Sequence, residues 1–208
     1  CPAAPVVRLR LTGRESRMRV FINGFGRIGR SVLRAYLLDP ANWPELEIVG
    51  INDIAAPEMC AYLFEYDSVF GPWRGSVALD GGALVVNGRR VPLYRTPDLS
   101  TLDLKGVDLV MECTGRAEAR EVAERGLRAG ASRVLVSGPS SAADVTVVLG
   151  ANDGVLAGQR VVSNASCTTN ALAPLAKLIH LNWGIVTGSM TTVHCYTGSQ
   201  PTVDAPAA

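Results

Sequence analysis

MRVFINGFGRIGR, Met18 to Arg30, holds a β-rich run, a glycine turn and the opening of a helix in one short stretch. Arg19–Ile22 (RVFI) reads as a buried strand. Gly24, Gly26 and Gly29 form a G-x-G-x-x-G turn, and Ile28–Leu38 then takes helical spacing up to Asp39-Pro40, where proline cannot continue a helix. Each glycine has a physical task. Gly24 permits the tight turn, Gly26 lets backbone approach a pyrophosphate, and Gly29 lets helix and strand pack closely. The helix N-terminus adds unpaired N–H groups and the positive end of a dipole. Asp53 stands 24 residues after Gly29, at the end of the next strand. A carboxylate there accepts hydrogen bonds from an adenosine ribose and repels a 2′-phosphate, so the pattern points to NAD and away from NADP.

Outward from this stretch the chain alternates β-rich runs with helical ones, the pattern of a parallel sheet with crossover helices. Glu47–Ile51 is the second strand and residues around Pro57–Tyr66 are helical. Gly75 to Pro92 reads as short antiparallel strands turning at Asp80-Gly81-Gly82 and Asn87-Gly88. Leu109–Glu112 is a buried strand, Ala117–Ala129 a helix ending at Gly130, and Arg133–Ser137 another strand; Thr146–Leu149 and Arg160–Ser163 continue the sheet. Thr169–Leu181 is a helix, and Ser189–Tyr196 a strand opening a different layer. The expected fold class is α/β, a Rossmann-type doubly wound parallel sheet, followed by the truncated start of an α+β catalytic domain. The expected division is a non-native or leader extension over residues 1–17, a cofactor domain over 18–166 and an incomplete catalytic domain over 167–208. Met18 is the natural start, and both ends look cut: the chain begins with Cys1 and stops in the loop PTVDAPAA.

Composition narrows the function. Of 208 residues, 20 are Lys or Arg and 19 Asp or Glu, a formal net charge of +1, which gives no basic excess for nucleic acid or a membrane surface. No apolar run is long enough to span a bilayer. Five scattered cysteines without a C-x-x-C pair argue against a disulfide scaffold or a metal site and fit a reducing cytoplasm.

One of these cysteines sits in a particular place. Ser163–Asn170 (SNASCTTN) lies between a strand and a helix, which puts Cys167 at or beside a helix N-cap, where the dipole lowers a thiol pKa. His194 lies on the run that follows that helix, a simple way to bring imidazole to thiolate. His180, inside the helical run, reads as a structural or surface residue. Cys195 adjoins His194, but strand alternation would turn it away from the site.

Six blocks resemble glyceraldehyde-3-phosphate dehydrogenase, in order: NGFGRIGR (Asn23–Arg30), IND (Ile51–Asp53), YDSV (Tyr66–Val69), ECTG (Glu112–Gly115), SNASCTTN and TTVHCYTGSQPTVDAP (Thr191–Pro206). The resemblance runs from about Met18 to the last residue, and SNASCTTN is its most specific block. It implies an NAD-dependent phosphorylating aldehyde dehydrogenase. The cysteine matching Cys167 attacks the aldehyde of glyceraldehyde 3-phosphate, a hydride leaves the thiohemiacetal, and inorganic phosphate cleaves the thioester to 1,3-bisphosphoglycerate. The histidine matching His194 raises thiolate reactivity and takes the hydroxyl proton. By the same resemblance Ser166, Thr168, Thr197 and, more weakly, Ser199 contact the two phosphate groups. Gly24, Phe25, Gly26, Arg27, Ile28, Gly29, Asp53, Thr114 and Ser137 match positions near the cofactor. A cytoplasmic homotetramer is expected of the intact protein.

The sequence departs from the family pattern at three points. Arg116-Ala117 follows ECTG where an aromatic is usual, Ala171 replaces a second cysteine, and the remainder of the catalytic domain is not in the chain. The chain alone is therefore expected to be inactive. The alternatives are erythrose-4-phosphate dehydrogenase, which tends to lack the run matching Tyr196–Gln200, and an inactive NAD-binding module.

Overall fold

The computed structural model describes residues 17–195. In chain order the elements are β1 (Met18–Asn23), α1 (Arg27–Leu38), β2 (Leu46–Asn52), α2 (Pro57–Glu65), β3 (Tyr66–Asp67), β4 (Gly71–Pro72), β5 (Val77–Asp80), β6 (Ala83–Val86), β7 (Arg89–Tyr94), β8 (Leu109–Glu112), α3 (Arg120–Ala123), α4 (Arg125–Arg128), β9 (Arg133–Val136), β10 (Val145–Thr146), β11 (Val161–Ser163) and α5 (Cys167–Trp183). Nine strands form one sheet in the order β10-β11-β9-β8-β1-β2-β7-β6-β5, parallel from β10 to β7 and antiparallel through the β7-β6-β5 meander. β1 is central, with β2 on one side and β8 on the other. The chain thus winds outward in both directions from β1, and the crevice at its carboxyl end is where such sheets take ligands.

Alternation along β1 builds a core on each face. Val20 and Ile22 pack with Leu33 and Tyr36 of α1 and with Phe64 and Trp73. Phe21 joins Val110, Val134 and Ala123 on the other face. Gly126 of α4 lets the helix pair reach the sheet, since a Cβ there would stand 3.0 Å from the side chains of Val110 and Val134. Both hairpin turns take the left-handed backbone expected of them: φ is 49° and 76° at Gly81 and Gly82, and 49° and 78° at Asn87 and Gly88.

The structure corrects four expectations. The helix expected over Ala117–Ala129 starts at Arg120 and splits at Glu124, whose φ of −88° and ψ of 0° interrupt the helical path. The strand expected over Thr146–Leu149 is confined to Val145–Thr146, the only two residues there that pair with β11. The expected strand at Ser189–Tyr196 is not formed over 189–195, where no neighbouring strand offers a ladder, and Tyr196 lies outside the described residues. The last helix is longer than expected at both ends, so that Cys167 is its first helical residue.

Candidate active site

The glycine turn sits against the loop that follows β8. Gly24 has φ 92°, and a Cβ there would stand 2.7 Å from the backbone of Cys113 and Thr114. Gly29 is closer still, since a Cβ would meet the Gly24 carbonyl oxygen at 2.1 Å. Gly26 is different: it is the N-cap of α1, makes no side-chain cap, and has nothing within 4 Å of where a Cβ would be. The space beside it, in front of the first-turn amides of α1, is what a pyrophosphate needs.

The side chains around the turn have defined tasks. The Asp53 carboxylate accepts from the Phe25 amide at 2.6 Å and from the Ala55 amide at 2.8 Å, so it braces the turn while remaining half-buried beside it. Phe25 is buried, its ring stacked on Phe64, its amide given to Asp53 and its carbonyl accepting from Arg30. The Arg27 guanidinium points away from the turn to Asp67, at 2.9 Å from both carboxylate oxygens. Ile28 is exposed at the helix start. Thr114 is exposed on the facing loop, although its hydroxyl is turned inward onto Glu112. Ser137 follows β9, with its amide bonded to the Glu112 carbonyl. These residues all collect at the carboxyl edge of β1, β2, β8 and β9. Fit to a dinucleotide rests on the Gly26 space, the helix N-terminus and the Asp53 carboxylate together.

The thiol site is built by the β11–α5 turn. Ala165 adopts φ 59°, rare for a residue with a side chain, and reverses the chain just before the helix. The Ser166 hydroxyl then caps α5 by accepting from the Thr169 amide at 3.1 Å. That is the ordinary work of a serine in such a turn and leaves it half-buried next to the thiol. Cys167 follows, exposed, with its Sγ 3.0 Å from Nε2 of His194. The His194 Nδ1 lies 2.5 Å from the Cys195 carbonyl oxygen, an acceptor, so Nδ1 carries a proton. Nε2 is then the nitrogen that exchanges a proton with the thiol. The hydrogen bond to His194 is the main cause that lowers the Cys167 pKa, and the Thr168 amide and hydroxyl add to it. The same bond to Cys167 is the main cause that raises the His194 pKa. The geometry therefore favours a thiolate–imidazolium pair.

The thiol and imidazole open on a cleft of about 470 Å³, lined by residues of α5 from Cys167 to Leu175 and by Met190–Cys195. Cys195 is part of that lining, which corrects the expectation that strand alternation would turn it away: residues 189–195 are not a strand, so alternation does not act on them. His180 is exposed in the last turn of α5, where its Nδ1 accepts from the Ile185 amide. Thr197 and Ser199 lie outside the described residues. The cleft lining takes no residue from the Gly24–Gly29 turn, so the structure gathers the proposed cofactor residues and the thiol pair as two separate groups. Among the described residues no three His, Cys, Asp or Glu side chains gather as metal ligands, and no helix is long and apolar enough to cross a membrane.

Sequence reasoning missed the buried row Asn52, Asn23 and Glu112, joined side by side across the strand ends beneath the glycine turn and bonded at one end to the backbone of half-buried Thr96. The available signal was a polar residue closing each of three apolar strands, Asn23, Asn52 and Glu112.

Comparison with known proteins identifies the family. Residues 18–120 match the model of the glyceraldehyde 3-phosphate dehydrogenase NAD binding domain, and residues 166–208 that of the C-terminal domain of the same family. The glyceraldehyde-3-phosphate dehydrogenase of Bacteroides fragilis is 47% identical over 191 residues, which is 91% of this chain and 57% of that protein. That of Geobacillus stearothermophilus is 46% identical, over 91% of this chain and 56% of that protein. A Trypanosoma brucei relative named as cytosolic is 46% identical over the same shares. The chain thus spans rather more than half the length of these curated relatives.

Proposed function

Because this chain belongs to the glyceraldehyde-3-phosphate dehydrogenase family, we propose that it forms the NAD site and carries the nucleophile of an enzyme that oxidises glyceraldehyde 3-phosphate to 1,3-bisphosphoglycerate. The reading divides the chain into a cofactor domain over 18–166 and the opening of a catalytic domain from Cys167. The observation that carries it is the Cys167–His194 pair at the N-terminus of a capped helix. NAD, when bound, supplies the hydride acceptor. Gly26 and the first amides of α1 would hold its pyrophosphate, and Asp53 its adenosine ribose.

The Cys167–His194 contact supports the following steps for the protein's own residues. Cys167 transfers its proton to His194 Nε2, the thiolate adds to the aldehyde carbon, and Nε2 returns the proton to the resulting alkoxide to give the thiohemiacetal. The helix N-terminus stabilises the charge on sulfur before attack. His194 then takes the hydroxyl proton as the carbon is oxidised to the thioester, which inorganic phosphate cleaves with release of the thiolate. Ser166 and Thr168 flank the sulfur and are the described hydroxyls closest in sequence to the reacting carbon, with Thr197 and Ser199 proposed beside them. The same reading includes a cytoplasmic homotetramer for the intact protein.

Calorimetric titration of the chain with NAD and NADP tests the cofactor half, and protection of Cys167 from iodoacetamide by glyceraldehyde 3-phosphate tests the substrate half. NAD should bind more tightly than NADP, and the aldehyde should slow alkylation. No binding of NAD and no protection would overturn the reading.

A further inference from the structure

Glu112 is 2% exposed, Asn52 4% and Asn23 5%, and they lie on adjacent strands at the carboxyl edge of the sheet. Burying a carboxylate is costly unless its lone pairs are met, and among the described residues Glu112 takes part in no ion pair. It is met by donors alone. Its Oε2 accepts from Asn23 Nδ2 at 2.5 Å, and its Oε1 accepts from the Thr114 amide at 3.0 Å and from the Thr114 hydroxyl.

The charge gives the row a direction. A carboxylate only accepts, so Asn23 must turn its NH2 to Glu112 and its oxygen to the other side. That oxygen accepts from Asn52 Nδ2 at 2.8 Å, which leaves the Asn52 oxygen to accept from the Thr96 amide at 2.9 Å, while Asn52 Nδ2 also donates to the Thr96 carbonyl at 3.0 Å. One buried charge on β8 thereby orients amides on β1 and β2 and holds the loops that follow β7 and β8. Backbone bonds continue the linkage, with Gly24 N donating to the Asn52 carbonyl and Cys113 N to the Asn23 carbonyl. A well-packed apolar row would stabilise the sheet as well or better, so a directional charged row is more than the fold requires.

We infer that Glu112 is a positioning residue of the nucleotide site, acting through Asn23 and Asn52 to set the Thr114 loop against the Gly24 turn. This rests on the reading of that turn as the NAD site. Because the Thr114 hydroxyl and amide both donate to Glu112, Thr114 keeps its carbonyl to meet a cofactor, at a place the carboxylate dictates.

The test exchanges donor and acceptor. Glu112→Gln brings an NH2 group among donors, and Asn23→Asp sets two carboxylates against each other. In Asn23→Asp/Glu112→Gln the glutamine donates to the aspartate and keeps its oxygen for Thr114, and the second aspartate oxygen still accepts from Asn52. Calorimetric NAD titration of the 208-residue chain should show each single variant weakened by about ten-fold or more, from loss of a bond to a charged group, and the exchanged pair restored to within about two-fold of the parent. Hydrogen exchange at the Thr114 amide should be fast in both single variants and slow in the parent and the exchanged pair. If the single variants do not fold, a folded exchanged pair with parental NAD affinity supports the inference. An exchanged pair that is unfolded or no tighter than the single variants overturns it, as does Glu112→Gln with unchanged affinity. If the parent chain binds no NAD, the reading of the turn fails, and the Thr114 exchange pattern across the same variants still decides whether Glu112 positions that loop.

Discussion

Gly26→Ala and Gly29→Ala add the same methyl group three residues apart and should fail in opposite ways. At Gly29 the new Cβ stands 2.1 Å from the Gly24 carbonyl oxygen and 3.1 Å from Ile22. Both the glycine carbonyl and the start of α1 are backbone, so the turn must open by more than an ångström. Overpacking of this kind costs about 1–3 kcal/mol, and contact with rigid backbone puts Gly29→Ala at the upper end. For a domain of this size that is a fall in Tm of about 6–12 °C. At Gly26 the backbone has φ −70° and ψ −159°, which alanine adopts freely, and nothing lies within 4 Å of the Cβ. The poorer N-cap and the smaller loss of chain entropy offset each other, so stability should stay within about 1 kcal/mol. The methyl group would, however, occupy the space in front of the α1 amides. Losing one or more hydrogen bonds to a charged pyrophosphate, at about 1.5–3 kcal/mol each, weakens NAD by roughly ten-fold to a hundred-fold or more. Thermal unfolding followed by circular dichroism and calorimetric NAD titration read the two quantities separately. Gly26→Ala with parental stability and parental NAD affinity would refute the cradle.

The remaining predictions concern the acid, the other thiols and the last helix. Asp53→Ala removes the acceptor of the Phe25 and Ala55 amides and should destabilise by about 2 kcal/mol in urea unfolding, while narrowing the ratio of NAD to NADP affinity. Burial pushes the Cys60 and Cys113 thiols up to about 12, so both stay protonated at neutral pH and should be the slowest to alkylate in mass-spectrometric mapping until the chain is unfolded. No residue of α5 is buried, and Leu175, Leu178, Leu181 and Trp183 are exposed. Amides of 171–183 should therefore exchange with deuterium well before those of β1, β2 and β8, and equal protection would contradict the weak anchoring of this helix.

The parallel sheet was legible because the β1 run, the glycine turn and the α1 spacing sit within a few residues, where period and turn chemistry act locally. Cys167 was legible for the same reason: a serine that can cap precedes it and a helical run follows. The strand expected at Ser189–Tyr196 shows where local pattern stops, since Thr191–Val193 have strand-forming side chains but no ladder partner over the described residues. Arg27 shows another limit. The resemblance put it near the cofactor, but its ion pair joins it to Asp67 of β3, 40 residues away, which no local pattern signals. The Asn23–Asn52–Glu112 row was invisible as a unit because its members are far apart in sequence and meet only through strand order.

The central claim is that His194 makes a thiolate of Cys167. The hydrogen bond moves the thiol pKa down and the imidazole pKa up, which favours transfer of the proton from sulfur to Nε2. Below the lowered thiol value the sulfur is protonated and unreactive, and without the imidazole bond that value returns upward. The most direct test is the pH profile of iodoacetamide labelling at each cysteine, in the parent chain and in His194→Asn. Cys167 should label first, ahead of Cys195 in the same cleft, with its rate rising at a pH below the ordinary thiol value of 9.0. His194→Asn should slow labelling at neutral pH and move the profile upward. Cys195 labelling first, or a Cys167 profile unmoved by His194→Asn, would contradict the account.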